Sequence, residues 1–468
     1  MNMTRRDFLA GLGATLALPK SMLAGDVSAA GSLPGYYASY LDAIAQKVAE
    51  DAAKGAANGF FFFTDPHVAA NYCQSGFVIA DLVKRTDLKR VVCGGDFSAA
   101  FSDGADPKTF VDCLYAKMER LWRDPIEEAG GLLFTAKGNH DMRVWKGRDL
   151  KGGWVYSSVH TREMLMATKE SANVVQNPDE KTGMYFYRDD DAAKTRYIVA
   201  DTTDGVCKED MPDTGRDFGC YMREDQLRWI AEVALGTVPA GFGVVVIQHI
   251  PLTPFTGHIK EIGRFEDFRR TLEAYQARGK VETKAGSFDF SSRNGGDIVM
   301  DISGHTHSDE FAFYNGILHV SETCDAYYSD PAYRTPFSGR LFKDRKARKG
   351  TVMEQAFDVV RFGGGAVRTT RIGPGQDRVF RLKPVVLKTG EKLRLEPPER
   401  ADAKWCAFDS WDVKENRNEK DPAKYWTFSN EIADVSPDGV LAAKSPGWAT
   451  AVAIAPDFRK EIVGIQVV

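Results

Sequence analysis

The chain has 468 residues, a formal net charge of −4, 43% hydrophobic residues and 27% charged residues. That balance excludes a disordered chain and a membrane-embedded one, and it supplies no general field that would draw in a nucleic-acid polymer. Seven cysteines without a CxxC pair exclude a disulfide scaffold and a structural zinc knuckle. The length points to two folded units or three.

The chain opens with Thr4-Arg5-Arg6-Asp7-Phe8-Leu9, a mildly apolar stretch from Ala10 to Leu18, and small residues at Ala24, Ala29 and Ala30. Charge, a short apolar core and a small-residue exit describe a signal peptide. The stretch is too short and too glycine-rich to span a membrane. The paired arginines followed by Phe-Leu resemble a twin-arginine export signal, which implies a periplasmic or secreted destination for residues beyond about 30.

From Pro34 to Lys54 the apolar spacing is helical. Short apolar runs then alternate with helical stretches: Gly59 to Phe63, Arg90 to Cys93 after a helix over Ala69 to Arg85, and Gly131 to Ala136 after a helix over Lys108 to Glu128. Met184 to Tyr187, Tyr197 to Ala200, Val244 to Ile247 and Ile298 to Ile302 follow. Such runs, bounded by Gly and Asp, read as buried strands, and their alternation with helices predicts an α/β fold. After Gly304 the texture becomes antiparallel. Asn315-Gly316 lies between Glu310–Tyr314 and Ile317–Ser321, and Gly363-Gly364-Gly365 between Phe357–Arg361 and Ala366–Thr370, both hairpin signals. Cys207 and Cys220 flank a Gly/Asp/Pro-rich loop; free thiols are the commoner state, and a disulfide closing the loop is the alternative. The basic run Lys343 to Lys349 reads first as a solvated loop face.

Five polar clusters each follow an apolar run: Asp65-Pro66-His67, Gly95-Asp96, Gly138-Asn139-His140-Asp141, His249, and Gly304-His305-Thr306-His307. Loops at the carboxyl ends of strands in an α/β sheet collect at one edge, so these clusters are expected to converge. Carboxylates, neutral imidazoles and an amide oxygen suit zinc, iron or manganese. Asp65 and His67, two apart in an extended segment, are expected to point the same way and hold one ion; His305 and His307 share that spacing. Asp65, His67, Asp96, Asn139, His249, His305 and His307 are too many ligands for one tetrahedral site and fit two ions sharing a carboxylate. The glycines let the chain turn where a side chain would collide. His160, His258 and His319 stand outside these clusters and read as structural or surface residues. Arg143, just after the third cluster, has the planar fork that can hold a phosphate oxygen.

DxH, GD, GNHD, a lone His after a strand and GHxH, in that order over about 240 residues, resemble the calcineurin-like metallophosphoesterases. The resemblance implies a four-layer αββα sandwich over residues 31–382 and hydrolysis of a small phosphate ester by a hydroxide bridging two metal ions. One ion would take Asp65, His67, Asp96 and His307, the other Asp96, Asn139, His249 and His305, with Asp96 bridging. His140 would be the catalytic histidine at the leaving oxygen. Many members carry an Asp three residues after the bridging Asp to orient that histidine; here Ala99 stands there, leaving Asp141 or a backbone carbonyl as the expected partner. A diesterase or pyrophosphatase acting on nucleotide-type substrates is the alternative activity.

Residues 383–468 show strand-like alternation, the turn Pro437-Asp438-Gly439 and the run Gly447-Trp448-Ala449-Thr450-Ala451. They resemble a bacterial immunoglobulin-like domain of the second group, which implies packing or surface attachment, with carbohydrate or protein binding as an alternative, and no chemistry. A surface binding protein whose catalytic unit is silent is a further alternative, opposed by the complete ligand set.

Overall fold

A computed structural model describes residues 33–67, 74–97, 101–102, 115–141, 143–146, 154–155, 158–204, 222–252, 265–325, 350–410, 413–415, 426–428 and 430–468. The expected signal segment, Cys207 and Cys220, His258, Ala99 and the basic run lie outside these residues, and the side chains of Arg143 and His160 are likewise not described.

Two sheets carry the fold. Parallel strands β1 (Asn58–Phe63), β2 (Arg90–Cys93) and β3 (Leu132–Thr135) begin the first. Phe60 to Phe63 are all buried, which is why this run reads as unbroken hydrophobicity rather than as alternation. The second sheet contains β4 (Val175–Gln176), β5 (Phe186–Asp190), β6 (Thr195–Val199), β7 (Gly243–Ile247), β8 (Ile298–Ser303), β9 (Glu310–Tyr314) and β10 (Ile317–Ser321). Its order is β9-β10-β8-β7-β6-β5-β4, with β6, β7 and β8 parallel. The sheets meet through aromatic rings. Phe60 and Phe134 lie edge-on against Tyr197 and Phe186, with centroids 5.8–5.9 Å apart.

Helices pack against the sheets. α1 (Ala38–Ala53) buries Leu41, Ile44 and Val48, three- and four-residue steps that place them on one side. α2 (Ser75–Arg85) buries Val78, Ile79, Leu82 and Val83 in the same way. α3 (Glu224–Trp229) and α4 (Glu266–Gln276) pack Leu227, Trp229, Phe268, Leu272 and Tyr275 into one core with Ile198, Val244 and Val246 of the second sheet.

The first sheet continues through β11 (Phe357–Gly363), β12 (Ala366–Ile372) and β13 (Arg378–Leu387), then β16 (Lys460–Val467), β15 (Gly447–Ile454) and β14 (Lys404–Asp409). The boundary expected after residue 382 falls inside β13. The first half of that strand pairs with β12, and both of its ends, on either side of an irregularity between Arg381 and Val385, pair with β16. The tail nonetheless has a core of its own, formed by Leu395, Trp405, Val435, Leu441, Ala451 and Ile465 among others. The expected hairpins are present, with Asn315 and Gly316 at φ +47° and +77° as the turn between β9 and β10 requires. Among the described residues, no helix is long and apolar enough to cross a membrane.

Candidate metal centre

The carboxyl ends of β1, β2 and β3 in one sheet and of β7 and β8 in the other point to the same rim. Asp65 and His67 follow β1, Asp96 follows β2, Asn139 and His140 follow β3, His249 follows β7, and His305 and His307 follow β8. Two groups form there: Asp65 with His67 and His307, and Asp96 with His249 and His305.

In the first group Asp65 Oδ1 lies 3.2 Å from His307 Nε2 and 3.8 Å from His67 Nε2, and those two nitrogens are 3.1 Å apart. Donors around a tetrahedral ion with bonds of 2.0–2.1 Å are separated by about 3.3 Å, so this triangle has the size of a metal face. Asp65 Oδ1 is buried and receives no well-formed hydrogen bond, although imidazole nitrogens surround it. The other oxygen, Oδ2, accepts from the Thr64 hydroxyl at 2.6 Å and the His305 amide at 2.9 Å, which aims Oδ1 inward.

In the second group His249 Nε2 lies 3.2 Å from Asp96 Oδ2 and 3.0 Å from Asn139 Oδ1, and His305 Nδ1 lies 2.9 Å from the same amide oxygen. His249 Nδ1 faces the Gly94 carbonyl at 2.8 Å; a carbonyl only accepts, so Nδ1 carries the proton and Nε2 is left to bind. The His140 amide donates to Asp96 Oδ1 at 2.7 Å, and its Nε2 stands 3.9 Å from Asp96 Oδ2. The His140 side chain is 22% exposed while Asp65, Asp96 and His249 are buried, so His140 stands on the open side.

The backbone at the rim is unusual. Asp65, His67, Asp96, His305 and His307 all have φ between +40° and +69°; they are five of the nine non-glycine residues with positive φ among the described residues. This corrects the expectation of an extended DxH segment: β1 ends at Phe63, and Asp65 and His67 converge through left-handed turns, not through strand alternation. The conformation costs about 1 kcal/mol or more at each position, so five of them approach the net stability of many domains. Cross-loop hydrogen bonds hold it in place: the Asp65 amide donates to the Gly95 carbonyl at 2.9 Å and the His67 amide to the Asp96 carbonyl at 3.2 Å. A Cβ on Gly304 would lie 2.4 Å from Asp65 Oδ2, and one on Gly138 would lie 2.1 Å from Asp96 Oδ1, so the expected backbone role of these glycines is one of close approach.

Burial alone would raise both central carboxylates. The His249 and His307 charges hold Asp65 below the ordinary range, and those of His249 and His140 hold Asp96 well below it. Burial lowers His249, but Asp96 and Asp65 outweigh it and push it up to about 9. Burial brings His67 down to about 4 and lowers His140 despite Asp96. Ionised carboxylates ringed by imidazoles make a site that attracts positive charge, whether protons or a metal ion.

Asp141, part of the third cluster, has a further role that the motif does not show: its Oδ2 atom accepts from the Asp96 amide at 3.0 Å and the Gly138 amide at 2.8 Å, so that oxygen stitches two ligand loops together. Lys137 and Asp201, both fully buried and 2.6 Å apart, tie the third cluster to the end of β6. His319 is structural, as expected: it is buried in β10, with Nδ1 2.7 Å from Asp301 Oδ2.

Comparison with protein-family models and with curated proteins found no match. Among solved structures, a dimetal phosphatase from Danio rerio aligns at 13% identity, covering 68% of this chain and 97% of its own, with a TM-score of 0.44. GAP50, the anchor in the inner membrane complex of Plasmodium, aligns at 12% identity over 67% and 84%, with a TM-score of 0.36. The phosphopantetheinyl hydrolase of Mycobacterium tuberculosis aligns at 12% identity over 57% and 89%, with a TM-score of 0.26. These likenesses are distant, and the functional reading rests on the chain's own residues.

Proposed function

We propose that this protein is an exported hydrolase of small phosphate esters that works with two transition-metal ions bridged by Asp96. The observation that carries the reading is the pair of adjoining ligand groups, Asp65/His67/His307 and Asp96/His249/His305, at one rim. Asn139 Oδ1 joins the second group, and the mixed carboxylate, imidazole and amide set suits manganese, zinc or iron.

Ions held there supply positive charge to phosphoryl oxygens and a water acidified toward neutral pH. The chain's own residues do the rest. Thr64 and the His305 amide keep Asp65 Oδ1 turned inward. Gly94 keeps the lone pair of His249 at Nε2. His140, on the open side and within 3.9 Å of Asp96, is the group placed to give a proton from Nε2 to the leaving oxygen. The architecture is read as helix–sheet–sheet–helix, the first thirty residues as the twin-arginine address, and residues 383–468 as an immunoglobulin-like unit that contacts a cell surface.

Elemental analysis and hydrolysis of a phosphomonoester, bis-p-nitrophenyl phosphate and a pyrophosphate, each with manganese, zinc or iron, test the reading together. Two metal equivalents and turnover are expected, and the preferred ester separates monoesterase from diesterase. Asp96→Asn should lose the metal pair and turnover together. A wild-type protein that takes up no transition metal, or an Asp96→Asn variant that keeps both properties, sinks the reading.

A further inference from the structure

Beneath the His305–His307 loop lies a second buried charge cluster. Asp309 and Glu322 come from the second sheet's side, and Asp358, Arg371 and Arg378 from β11, β12 and β13 of the first. The three carboxylates stand close enough together to suggest a third cation site. Two guanidinium groups already occupy the space between them. Arg371 donates to Asp309 through Nη1 at 2.9 Å and Nη2 at 2.6 Å, to Asp358 through Nε at 2.9 Å and Nη2 at 2.9 Å, and to Glu322 at 3.0 Å. Arg378 donates to Glu322 at 2.7 Å and Asp358 at 2.6 Å. Burial holds Glu322 well above the ordinary carboxylate range against the pull of Arg378. The cluster is a clamp between the sheets, with no vacancy for an ion.

The clamp reaches the metal loop by a short covalent and hydrogen-bonded route. Asp309, gripped by the Arg371 fork, stands two residues after His307. Its Oδ1 accepts from the Thr323 amide at 3.1 Å, and the Thr323 hydroxyl donates to the His307 carbonyl at 3.3 Å. His307 has the unfavourable φ of +53°, a conformation that persists only where the surroundings over-determine it. Arg371 comes from the opposite sheet, the one that also carries Asp65 and His67. Its bonds to Asp309 therefore join the side that carries His307 to the sheet that carries Asp65 and His67. We propose that Arg371 is a positioning residue for His307, acting through Asp309 and Thr323 to fix the metal-ligand triangle Asp65/His67/His307. This rests on the metal reading above.

The test is calorimetric titration of chelator-stripped full-length protein with Mn²⁺, alongside thermal melts. Loss of a group that supports a ligand typically weakens metal binding about 10- to 100-fold. Arg371→Met and Asp309→Asn should weaken one Mn²⁺ site by that factor. Arg371→Lys, which keeps the charge but not the fork, should recover only part of the loss. Arg361→Met is the control. Arg361 is equally buried in β11 but bonds Ala56, Ala57 and Asp87, at the end of β11 away from the rim. It should lower the melting temperature and leave both Mn²⁺ affinities alone. If Arg371→Met does not fold, Thr323→Val leaves the charges whole and should still weaken the same site. A folded Arg371→Met that titrates like wild type, an equal loss in Arg361→Met, or an unchanged Thr323→Val overturns the proposal. Wild-type protein that binds no Mn²⁺ overturns the metal reading itself, whereas two intact sites in the variants overturn only the role of Arg371.

Discussion

His249 Nδ1 sits 2.8 Å from the carbonyl oxygen of Gly94, the residue two before Asp96. The contact ties the orientation of one imidazole to the loop that carries the central carboxylate. It also means that a proton on Nε2, favoured by Asp96 and Asp65 in the ion-free protein, must leave before that atom can bind a metal. Burial lowers the affinity of His249 for that proton, and the two carboxylates raise it to about 9. Between pH 6 and 8 the apparent Mn²⁺ affinity should therefore rise with pH, by up to about tenfold per unit for this one proton. Titrations in buffers of differing ionisation heat count the protons released. Affinity that is flat with pH, with no proton release, contradicts this account.

His140→Ala should slow turnover of esters with poor leaving groups by about 10²–10⁴-fold. The loss should be much smaller for p-nitrophenyl phosphate, whose leaving group needs little protonation. Metal content should stay at the wild-type level, since His140 lies outside both ligand groups. Equal losses on the two substrates would remove His140 from the proton-delivery role.

Away from the rim, Glu180 offers an acid-stability prediction. Burial would raise this carboxyl. The Gly183 amide at 2.7 Å, the Thr182 amide and hydroxyl at 2.5 and 2.8 Å, and Arg223 bring it down to about 2 instead. A depressed carboxylate stabilises the fold above its unfolded value near 4.5 and loses that contribution as pH falls toward about 2. Glu180→Gln should therefore lower stability at pH 7 by about 2 kcal/mol, the scale of a charged hydrogen-bond set. Urea midpoints should converge for the two proteins below pH 3. A constant gap across that range would refute the assignment.

The buried parallel strands are legible in the sequence because a strand covered on both faces must be apolar throughout, as Phe60 to Phe63 and Val244 to Ile247 are. The polar clusters that follow are legible for the same reason, since each marks where a run stops. Left-handed turns at Asp65 and His67 are not legible: aspartate and histidine tolerate positive φ without demanding it, and only the loops that cross them impose it. The clamp of Arg371 and Asp309 is hidden by a general rule, because arginine and aspartate are most often solvated. α4 could have been read from Phe268, Leu272 and Tyr275 at helical spacing, but its charged faces dilute that signal.

β13 belongs to both halves of the chain at once, running from its pairing with β12 in the first sheet into the tail's own core. A protein shortened at residue 382 would end midway along that ribbon and lose β16. Its last strand would present unpaired amides and carbonyls, the template on which chains add to one another. In this molecule the tail is thus also a seam that closes an otherwise adhesive margin, whatever else it touches.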